Sequence, residues 1–199
     1  MTFKFLKRSV LSLFVLLAAA SAHAIPVLQF NPSDSEGSVG DTIEVDLLVD
    51  LTSSGYLGGY DISFTFDTSV VNLIDVVFGS GLDVPGGDPS FQDVYIDNAN
   101  GFVGLSEYTE DDPFDLADFQ EALFPLVTLT FDAVGAGLTG LNFDTTYLEN
   151  ELTIAYADVN ALDGSICIDC GVEPVSEPMS AGFVALAFAG LLGWRKLAR

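Results

Sequence analysis

Carboxylates are nearly the only ionisable side chains between Ile25 and Trp194. All 29 Asp and Glu residues lie in this segment, which contains no Lys, Arg or His. The single histidine of the chain, His23, precedes it. Nucleophile systems with a histidine base, imidazole-based zinc sites, Schiff-base lysines and P-loops are therefore excluded. The remaining candidates are carboxylate chemistry, one pair of cysteines and the ring faces of six tyrosines.

Two acidic triplets invite comparison with an aspartic-protease site, in which two carboxylates share one proton. Asp67-Thr68-Ser69 matches such a turn superficially, but Asp163-Gly164-Ser165 is a poor second copy. Both triplets fall where a predicted strand meets a turn, and that role accounts for them. A glycosidase built on two carboxylates is a remote alternative, because residue type alone does not exclude it. The chain is predicted not to be an enzyme.

The densest group of carboxylates is the one candidate metal site, and its metal would be Ca²⁺. This group consists of Glu110, Asp111, Asp112, Asp115 and Asp118. Carboxylate oxygens suit Ca²⁺, but the spacing lacks the alternating ligands, central glycine and terminal glutamate of an EF-hand loop. The alternative is a solvated acidic loop. No other cofactor is predicted.

The two cysteines form the short motif Cys167-Ile168-Asp169-Cys170. A redox-active pair of this spacing normally begins a helix in a βαβ context, whereas this pair follows the last predicted strand. In an oxidising compartment, a structural or intermolecular disulfide is the favoured interpretation of such a pair. The pairing itself is left open by the sequence.

The tyrosines are candidates for stacking against sugar rings. They are Tyr56, Tyr60, Tyr95, Tyr108, Tyr147 and Tyr156. Tyr60 shares a strand face with Ile62 and Phe64, which predicts that it lies in the core.

Strands are predicted wherever apolar and polar residues alternate with period two, as in a sheet with one buried face. The alternation is clearest in Ile43–Leu51, Tyr60–Asp67 and Val127–Asp132. Further predicted strands are Val70–Phe78, Gln92–Asp97, Phe102–Tyr108, Leu138–Phe143, Leu152–Ala157 and Ser165–Ile168. About nine short strands separated by turn residues indicate an all-β antiparallel sandwich or jelly roll.

Two local signals complete this pattern. Asn100-Gly101 lies between two predicted strands and favours a tight hairpin. One short helix is predicted within Leu116–Leu123, with Pro125 preventing its extension.

The N-terminus has the three parts of a cleavable secretory signal. Basic residues at Lys4, Lys7 and Arg8 precede the apolar segment Val10–Ala20. An A-x-A cleavage site follows, formed by Ala22 and Ala24 around His23. Residues 1–24 are therefore predicted to be a signal peptide, and the mature chain to begin at Ile25.

The C-terminus has the form of a membrane anchor. Met179–Trp194 is an uncharged apolar segment of 16 residues. As a helix it would be about 24 Å long, short of the hydrocarbon core of about 30 Å. The basic end, Arg195, Lys196 and Arg199, is predicted to stay in the cytoplasm. A transient anchor is favoured, and a permanent one is the alternative.

The central segment resembles a cohesin domain in several motifs. Gly40-Asp41-Thr42-Ile43-Glu44-Val45, Leu57 to Asp67 and Ser69-Val70-Val71-Asn72-Leu73 are similar to the opening half of that family. Leu126 to Phe131 and Asp163-Gly164-Ser165-Ile166 resemble its later strands. The resemblance covers roughly Val27–Ile168 and implies a nine-stranded jelly roll, a fold related to bacterial carbohydrate-binding modules. It implies no particular dockerin contacts.

The tail resembles the PEP-CTERM sorting signal of Gram-negative exopolysaccharide producers. Glu177-Pro178 matches the last two positions of the Pro-Glu-Pro motif, and Ser176 occupies the first. The resemblance implies processing by an exosortase-type membrane peptidase. Together with the N-terminal pattern and the cohesin resemblance, it divides the chain into a predicted signal peptide (1–24), a cohesin-like domain (25–171) and a sorting tail (172–199) with a transmembrane helix at 179–194.

These features together predict a non-catalytic protein of the cell surface or biofilm matrix with an adhesive or structural role. The alternative is a carbohydrate-binding module that acts on exopolysaccharide. The expected partners are the exosortase-type peptidase, the inner membrane at least transiently, and an extracellular polysaccharide or matrix protein. Nucleic acid is excluded as a partner, because binding its phosphates requires Lys or Arg.

Overall fold

The computed structural model describes residues 25–52 and 54–171. The predicted signal peptide, sorting motif, apolar segment and basic end lie outside these residues. Among the residues that are described, no helix is long and apolar enough to cross a membrane.

Eleven strands and one short helix make up the described part of the chain. In chain order they are β1 (Val27–Asn31), β2 (Asp34–Gly37), β3 (Thr42–Asp50), β4 (Leu57–Thr65), β5 (Val71–Phe78), β6 (Phe91–Asp97), β7 (Phe102–Tyr108), α1 (Pro113–Phe119), β8 (Leu123–Ala133), β9 (Gly137–Asn150), β10 (Asn160–Leu162) and β11 (Gly164–Ile168). The all-β architecture predicted from the alternating pattern is confirmed, although the described residues form eleven strands where about nine were predicted.

The strands form two sheets that pack face to face. The five-stranded sheet has the order β10-β1-β3-β8-β5, and the six-stranded sheet has the order β2-β11-β9-β4-β7-β6. Most neighbouring strands are antiparallel, but β10 pairs with β1 and β2 pairs with β11 in parallel. The expectation of a purely antiparallel sandwich is corrected at these two edges.

The core fills the space between the sheets. Alternate residues of each strand point inward, so β3 contributes Ile43, Val45, Leu47 and Val49 to the interior. Aromatic rings meet across the core edge to face, and the ring centroids of Phe66 and Phe131 are 5.7 Å apart. This geometry is favoured by the quadrupoles of the two rings.

Three local predictions need correction. Leu152–Ala157 is not a strand, since only an isolated bridge joins Glu149 to Ala155. The strand predicted at Leu138–Phe143 runs on to Asn150, because β4 continues to pair with it beyond a register shift. The helix begins earlier than predicted, at Pro113, and ends at Phe119. Long-range pairing and a local cap decided these boundaries.

Proline explains the helix error directly. Pro113 occupies the first turn, where its missing N–H costs no hydrogen bond, and Asp112 caps the helix by accepting from the backbone N of Phe114 at 2.9 Å. Pro125, which was expected to stop the helix, lies within β8, where β3 and β8 shift register. A register shift of this kind tolerates proline in a sheet.

The predicted hairpin is present. β6 and β7 pair in antiparallel register from Phe91 opposite Tyr108 to Asp97 opposite Phe102. Gly101 in the turn has φ of 66°, a conformation that glycine adopts without strain. Asp97 accepts hydrogen bonds from the backbone N of Ala99 and of Asn100, which fastens the turn.

Candidate binding surface

The outer face of the six-stranded sheet carries a concentration of exposed aromatic and acidic side chains. In β7 the inward residues Val103, Leu105 and Glu107 are buried, so the residues between them point to solvent. Cross-strand register places these outward residues in four rows. From β9 through β4 and β7 to β6, the rows are Glu149, Gly59, Tyr108, Phe91; Tyr147, Asp61, Ser106, Asp93; Thr145, Ser63, Gly104, Tyr95; and Asn142, Thr65, Phe102, Asp97. We refer to these residues as the outer face.

A groove of about 360 Å³ crosses the middle of the outer face. The rings of Tyr95 and Phe102 form one side, with centroids 6.2 Å apart. The groove has a low floor at Gly104, which lacks a side chain to fill it. Carboxylates line its margins, namely Asp61, Asp93 and Asp144. Ring faces beside carboxylates bind either sugar hydroxyls and C–H groups or a cationic side chain.

A second aromatic cluster lies at the other end of the outer face. The hydroxyl of Tyr147 donates to Glu149 Oε2 at 2.9 Å, and this hydrogen bond is the main cause that raises the pKa of Tyr147. Burial raises the pKa of Tyr108, as do the nearby charges of Asp61 and Glu149. The Glu149 carboxylate therefore disfavours ionisation of both tyrosines.

The glycine pair Gly58-Gly59 shapes this end of the sheet. A Cβ on Gly58 would lie 2.4 Å from the carbonyl oxygen of Asn150, and one on Gly59 would lie 2.3 Å from the Tyr108 ring. The pairing of β4 with β9 shifts register between Leu57 and Gly59. A side chain at either glycine would therefore displace β9 or the Tyr108 ring.

A buried carboxylate supports the outer face from beneath. Glu107 is 1% exposed and accepts three hydrogen bonds. They come from Tyr60 Oη at 3.0 Å, Ser90 Oγ at 2.7 Å and Gln92 Nε2 at 2.9 Å. Burial raises the pKa of Glu107, although the three donors oppose that shift. Because these donors come from β4, β6 and the segment before β6, the network fastens the edge of the sheet to the core.

The segment that leads into β6 is held by two side chains from outside it. Asp111 accepts from the backbone N of Val84 at 2.8 Å and of Asp88 at 3.1 Å. Gln120 donates from Nε2 to the carbonyl oxygens of Leu57 at 2.9 Å and Gly81 at 2.8 Å. A second concavity, of about 440 Å³, lies between this segment and the end of α1.

The five carboxylates of the predicted Ca²⁺ site do not converge. Within residues 25–52 and 54–171, no three Asp, Glu, Cys or His side chains come close enough to hold a metal ion. Asp111 and Asp112 instead accept hydrogen bonds from backbone N–H groups, while Glu110, Asp115 and Asp118 are exposed. Ca²⁺ binding by this group stays a prediction, and Asp115 and Asp118 lie within α1 while Asp112 caps it.

The tyrosines that were predicted to stack against sugar rings lie in different environments. Tyr60 is fully buried, as expected. Tyr95, Tyr108 and Tyr147 share the outer face, although they come from three different strands. Tyr156 lies elsewhere, and its hydroxyl donates to the carbonyl oxygens of Ser54 at 3.1 Å and Tyr56 at 2.8 Å.

Several site residues were missed by the sequence analysis, including the groove carboxylates Asp61, Asp93 and Asp144. Phe91 and Phe102 belong to the outer face, and their alternation with Asp93 and Gly104 was the available signal. Glu107 and Gln120 gave no local signal, because their roles depend on partners far away in the chain. Gln120 contacts Leu57 from a separation of 63 residues.

The remaining candidate residues have structural roles. Cys167 and Cys170 are joined by a disulfide at the end of β11. Asp67 accepts from the backbone N of Ser69 at 2.8 Å, and Asp163 accepts from the backbone N of Phe143 at 2.9 Å. Asp67 thus stabilises the turn that follows β4, whereas Asp163 links the turn between β10 and β11 to β9.

The chain matches no protein-family profile and no curated protein by sequence. Its fold is similar to solved cohesin structures. A non-cellulosomal cohesin from the archaeon Archaeoglobus fulgidus is 14% identical, with a TM-score of 0.55 over 73% of this chain and 91% of that one. A type I cohesin–dockerin complex from Clostridium thermocellum gives 10% identity and a TM-score of 0.58 over 73% and 99%. The third ScaC cohesin of Acetivibrio cellulolyticus gives 18% identity and a TM-score of 0.57 over 72% and 99%. At these identities the likeness shows a cohesin-like fold.

Proposed function

We propose that this chain is an exported, non-catalytic binding module that attaches to another protein of the cell surface or matrix through the outer face of its six-stranded sheet. The observation that carries this proposal is the exposed row pattern of aromatic and acidic side chains on a rigid sheet. Rings combined with few flexible side chains are typical of protein-binding surfaces. The cohesin-like fold supports it, since the similar structure from Clostridium thermocellum was solved as a cohesin–dockerin complex.

The non-catalytic character rests on residue types. Between Ile25 and Trp194 there is no Lys, Arg or His to act as a base, an electrophile or an anion clamp. The carboxylates of the groove, Asp61 and Asp93, are exposed. A glycosidase needs a general acid whose environment keeps it protonated, which is usually an apolar pocket.

The proposed route to the surface rests on both ends of the chain. Residues 1–24 serve as a cleaved signal peptide, 25–171 as the binding domain and 172–199 as a sorting tail. The tail holds the domain on the outer side of the inner membrane of a Gram-negative bacterium until an exosortase-type peptidase acts near Ser176, Glu177 and Pro178. Cell surface or extracellular matrix is then its destination. All six basic residues flank the two apolar segments, as retention of positive charge in the cytoplasm requires.

Deleting Met179–Arg199 is expected to abolish association with membranes and leave export intact, because the apolar anchor and its basic end are removed together. Fractionation of cells, followed by mass spectrometry of both mature termini, measures this. The control replaces Arg195, Lys196 and Arg199 with glutamine, which keeps the apolar segment and removes only the charges. A truncated chain that still fractionates with the membrane would show that the tail is not the anchor.

The second candidate function is binding of an extracellular polysaccharide. It is favoured by one observation, the groove between the Tyr95–Phe102 rings and the margin carboxylates. Rings supply stacking surface, and carboxylates accept hydrogen bonds from sugar hydroxyls.

Two treatments of the matrix distinguish binding to a protein from binding to a polysaccharide. Immobilised native matrix is digested with protease or oxidised with periodate, and binding of the chain is measured by surface plasmon resonance. We expect protease to abolish binding and periodate to leave it, with the double variant Tyr95→Ser and Tyr147→Ser weakening binding at least about tenfold. Tyr56→Ser, which removes an exposed ring outside the outer face, is the control. Loss of binding after periodate alone would establish the polysaccharide function instead.

A further inference from the structure

The two sheets end in four edge strands, and three of them are poor templates for further pairing. β10 has three residues and β2 has four, while β5 shifts register between Leu73 and Asp75. Short or bulged edges are how proteins prevent unwanted strand addition. The fourth edge, β6, has none of these features. It has seven residues in unbroken register with β7, and it contains neither Pro nor Lys.

The backbone of β6 has one unpaired side. In the described part of the chain, β7 is its only neighbour in the sheet. Every second residue of an antiparallel edge strand points its N–H and C=O away from its partner. β6 lies near β5 of the other sheet, and in the described residues Asn98, just beyond β6, accepts from the backbone N of Leu73 and donates to its carbonyl oxygen. The free side of β6 therefore presents a row of backbone donors and acceptors.

The inward side chains of β6 are incompletely covered. Val94 is 36% exposed and Ile96 is 38% exposed, whereas their β7 neighbours Leu105 and Val103 are 1% and 0% exposed. A further strand beside β6 would cover Val94 and Ile96 with its own inward side chains. The hydrophobic core therefore extends to the edge of the sheet at β6, where Val94 and Ile96 remain partly exposed.

The outward side chains of β6 alternate between rings and carboxylates. The series is Phe91, Asp93, Tyr95 and Asp97, and the two rings are each 59% exposed. An outward side chain on an added strand would lie between a ring and a carboxylate, since cross-strand and diagonal neighbours are both within reach. Lys and Arg satisfy both contacts, by cation–π attraction and by ion pairing.

The negative charge of the domain also favours a partner segment that carries Lys or Arg. Residues 25–171 hold 27 of the 29 Asp and Glu residues and no Lys, Arg or His, so an approaching segment meets only negative charge. A second copy of this chain would bring its own carboxylates to the contact and would be repelled at low ionic strength.

We propose that β6 accepts an extended segment of a partner protein as a seventh strand of the six-stranded sheet, with Lys or Arg at its outward positions and apolar residues at its inward positions. This deepens the proposed function, on which it rests, by naming the chemistry of the partner segment. Backbone hydrogen bonds supply affinity and the alternating side chains supply selectivity in this mode of recognition.

The test uses the full-length chain in a non-ionic detergent and capped seven-residue peptides as probes. The first peptide alternates four lysines with three valines. The second has the same composition, with the four lysines first and the valines last. Two further versions of the alternating peptide are N-methylated on one edge or on the other. Fluorescence anisotropy at about 0.15 M salt measures each Kd.

We expect the alternating peptide to bind at least about tenfold more tightly than the block peptide of equal charge. N-methylation of one edge of the peptide should abolish binding, whereas N-methylation of the other edge should leave the Kd nearly unchanged, because only one edge of the peptide pairs with β6. Equal binding of all four peptides would overturn the proposal, since it would reduce the interaction to unspecific charge attraction.

Variants locate the site. Tyr95→Lys places a cation in the outward row of β6 and should weaken binding of the alternating peptide at least about tenfold. The matched control is Val77→Lys, which adds the same charge at an exposed position of edge strand β5 and should leave the Kd within about twofold. Asp93→Asn, which introduces no new bulk, should weaken binding in the same direction as Tyr95→Lys. Equal effects of Tyr95→Lys and Val77→Lys would overturn the proposal.

Sedimentation of the chain alone tests whether a second copy of the chain, and not a partner segment, pairs with β6. A dimer that Tyr95→Lys dissociates and Val77→Lys does not would assign β6 to a second copy and overturn the proposal.

The proposed function and the β6 proposal can fail independently. The proposed function fails when native matrix does not bind the chain although the alternating peptide still does. It stands without the β6 proposal when matrix binding depends on Tyr147 and the peptides do not discriminate.

Discussion

Replacing Glu107 with alanine is expected to lower the free energy of unfolding by about 3 kcal/mol, or roughly 6–12 °C in Tm. The change removes the acceptor of Tyr60 Oη, which is fully buried and has no access to water. Ser90 and Gln92 lose the same acceptor, so the start of β6 is released as well. Thermal unfolding followed by circular dichroism measures the effect.

Two further variants distinguish the loss of the buried hydrogen-bond acceptor from the loss of a negative charge. Glu110→Ala removes an exposed carboxylate three residues away and should change Tm little. Glu107→Gln keeps an acceptor oxygen but cannot ionise, so its Tm at pH 7 should lie above that of the alanine variant. An alanine variant as stable as the original chain would mean that water replaces the carboxylate and that the network contributes nothing net.

The same carboxylate predicts an acidic optimum of stability. Burial raises the folded pKa of Glu107 above its ordinary value of 4.5, so its contribution is complete below pH 4.5 and is lost as pH rises through the folded pKa. Hydrogen bonds from Thr52, Ser69 and Asn100 lower the pKa values of Asp50, Asp67 and Asp97 below 3.8. Their contributions are complete above pH 3.8 and are lost as pH falls through those folded pKa values.

Both contributions are therefore present in full between pH 3.8 and 4.5, where the Tm is expected to be highest. Fewer ionised carboxylates also reduce the mutual repulsion within the domain. In Glu107→Gln the fall in Tm between pH 4.5 and 7 should become shallower. A Tm that rises steadily up to pH 7 would contradict the assignment.

Replacing Gly58 with alanine is expected to cost about 3 kcal/mol of stability. The new Cβ would lie 2.4 Å from the carbonyl oxygen of Asn150. That oxygen belongs to the backbone of β9, which cannot move aside without losing its pairing with β4. Chemical denaturation with urea measures the change as a lower midpoint at an unchanged slope.

Gly104→Ala is the matched control, since it lies in the same sheet. Its Cβ would meet nothing closer than 3.7 Å, at the Phe102 ring. Alanine also restricts the unfolded chain more than glycine does, so stability should stay the same or rise by up to about 1 kcal/mol. Equal losses in Gly58→Ala and Gly104→Ala would show that close packing against β9 is not what requires glycine.

The strands and the inward residues were predictable because they depend on local alternation. Ile43, Val45 and Leu47 alternate with polar residues, and all three are buried. The pattern failed where pairing overrode it. The second half of β9 became a strand because β4 pairs with it, and Leu152–Ala157 did not because no strand lies beside it except at one isolated bridge.

The sequence by itself determined the all-β class, the exclusion of histidine- and lysine-based catalysis, the uniform negative charge and the burial of Tyr60. Each of these depends on residue type or on neighbours two positions apart. Only the tertiary structure decided the outer face, the role of Glu107 and the open edge at β6. Tyr147 lies opposite Asp61 in the row that ends at Asp93, although these residues are far apart in the chain. Cross-strand neighbours are set by register and strand order, which arise from packing two whole sheets together, so no local pattern contains them.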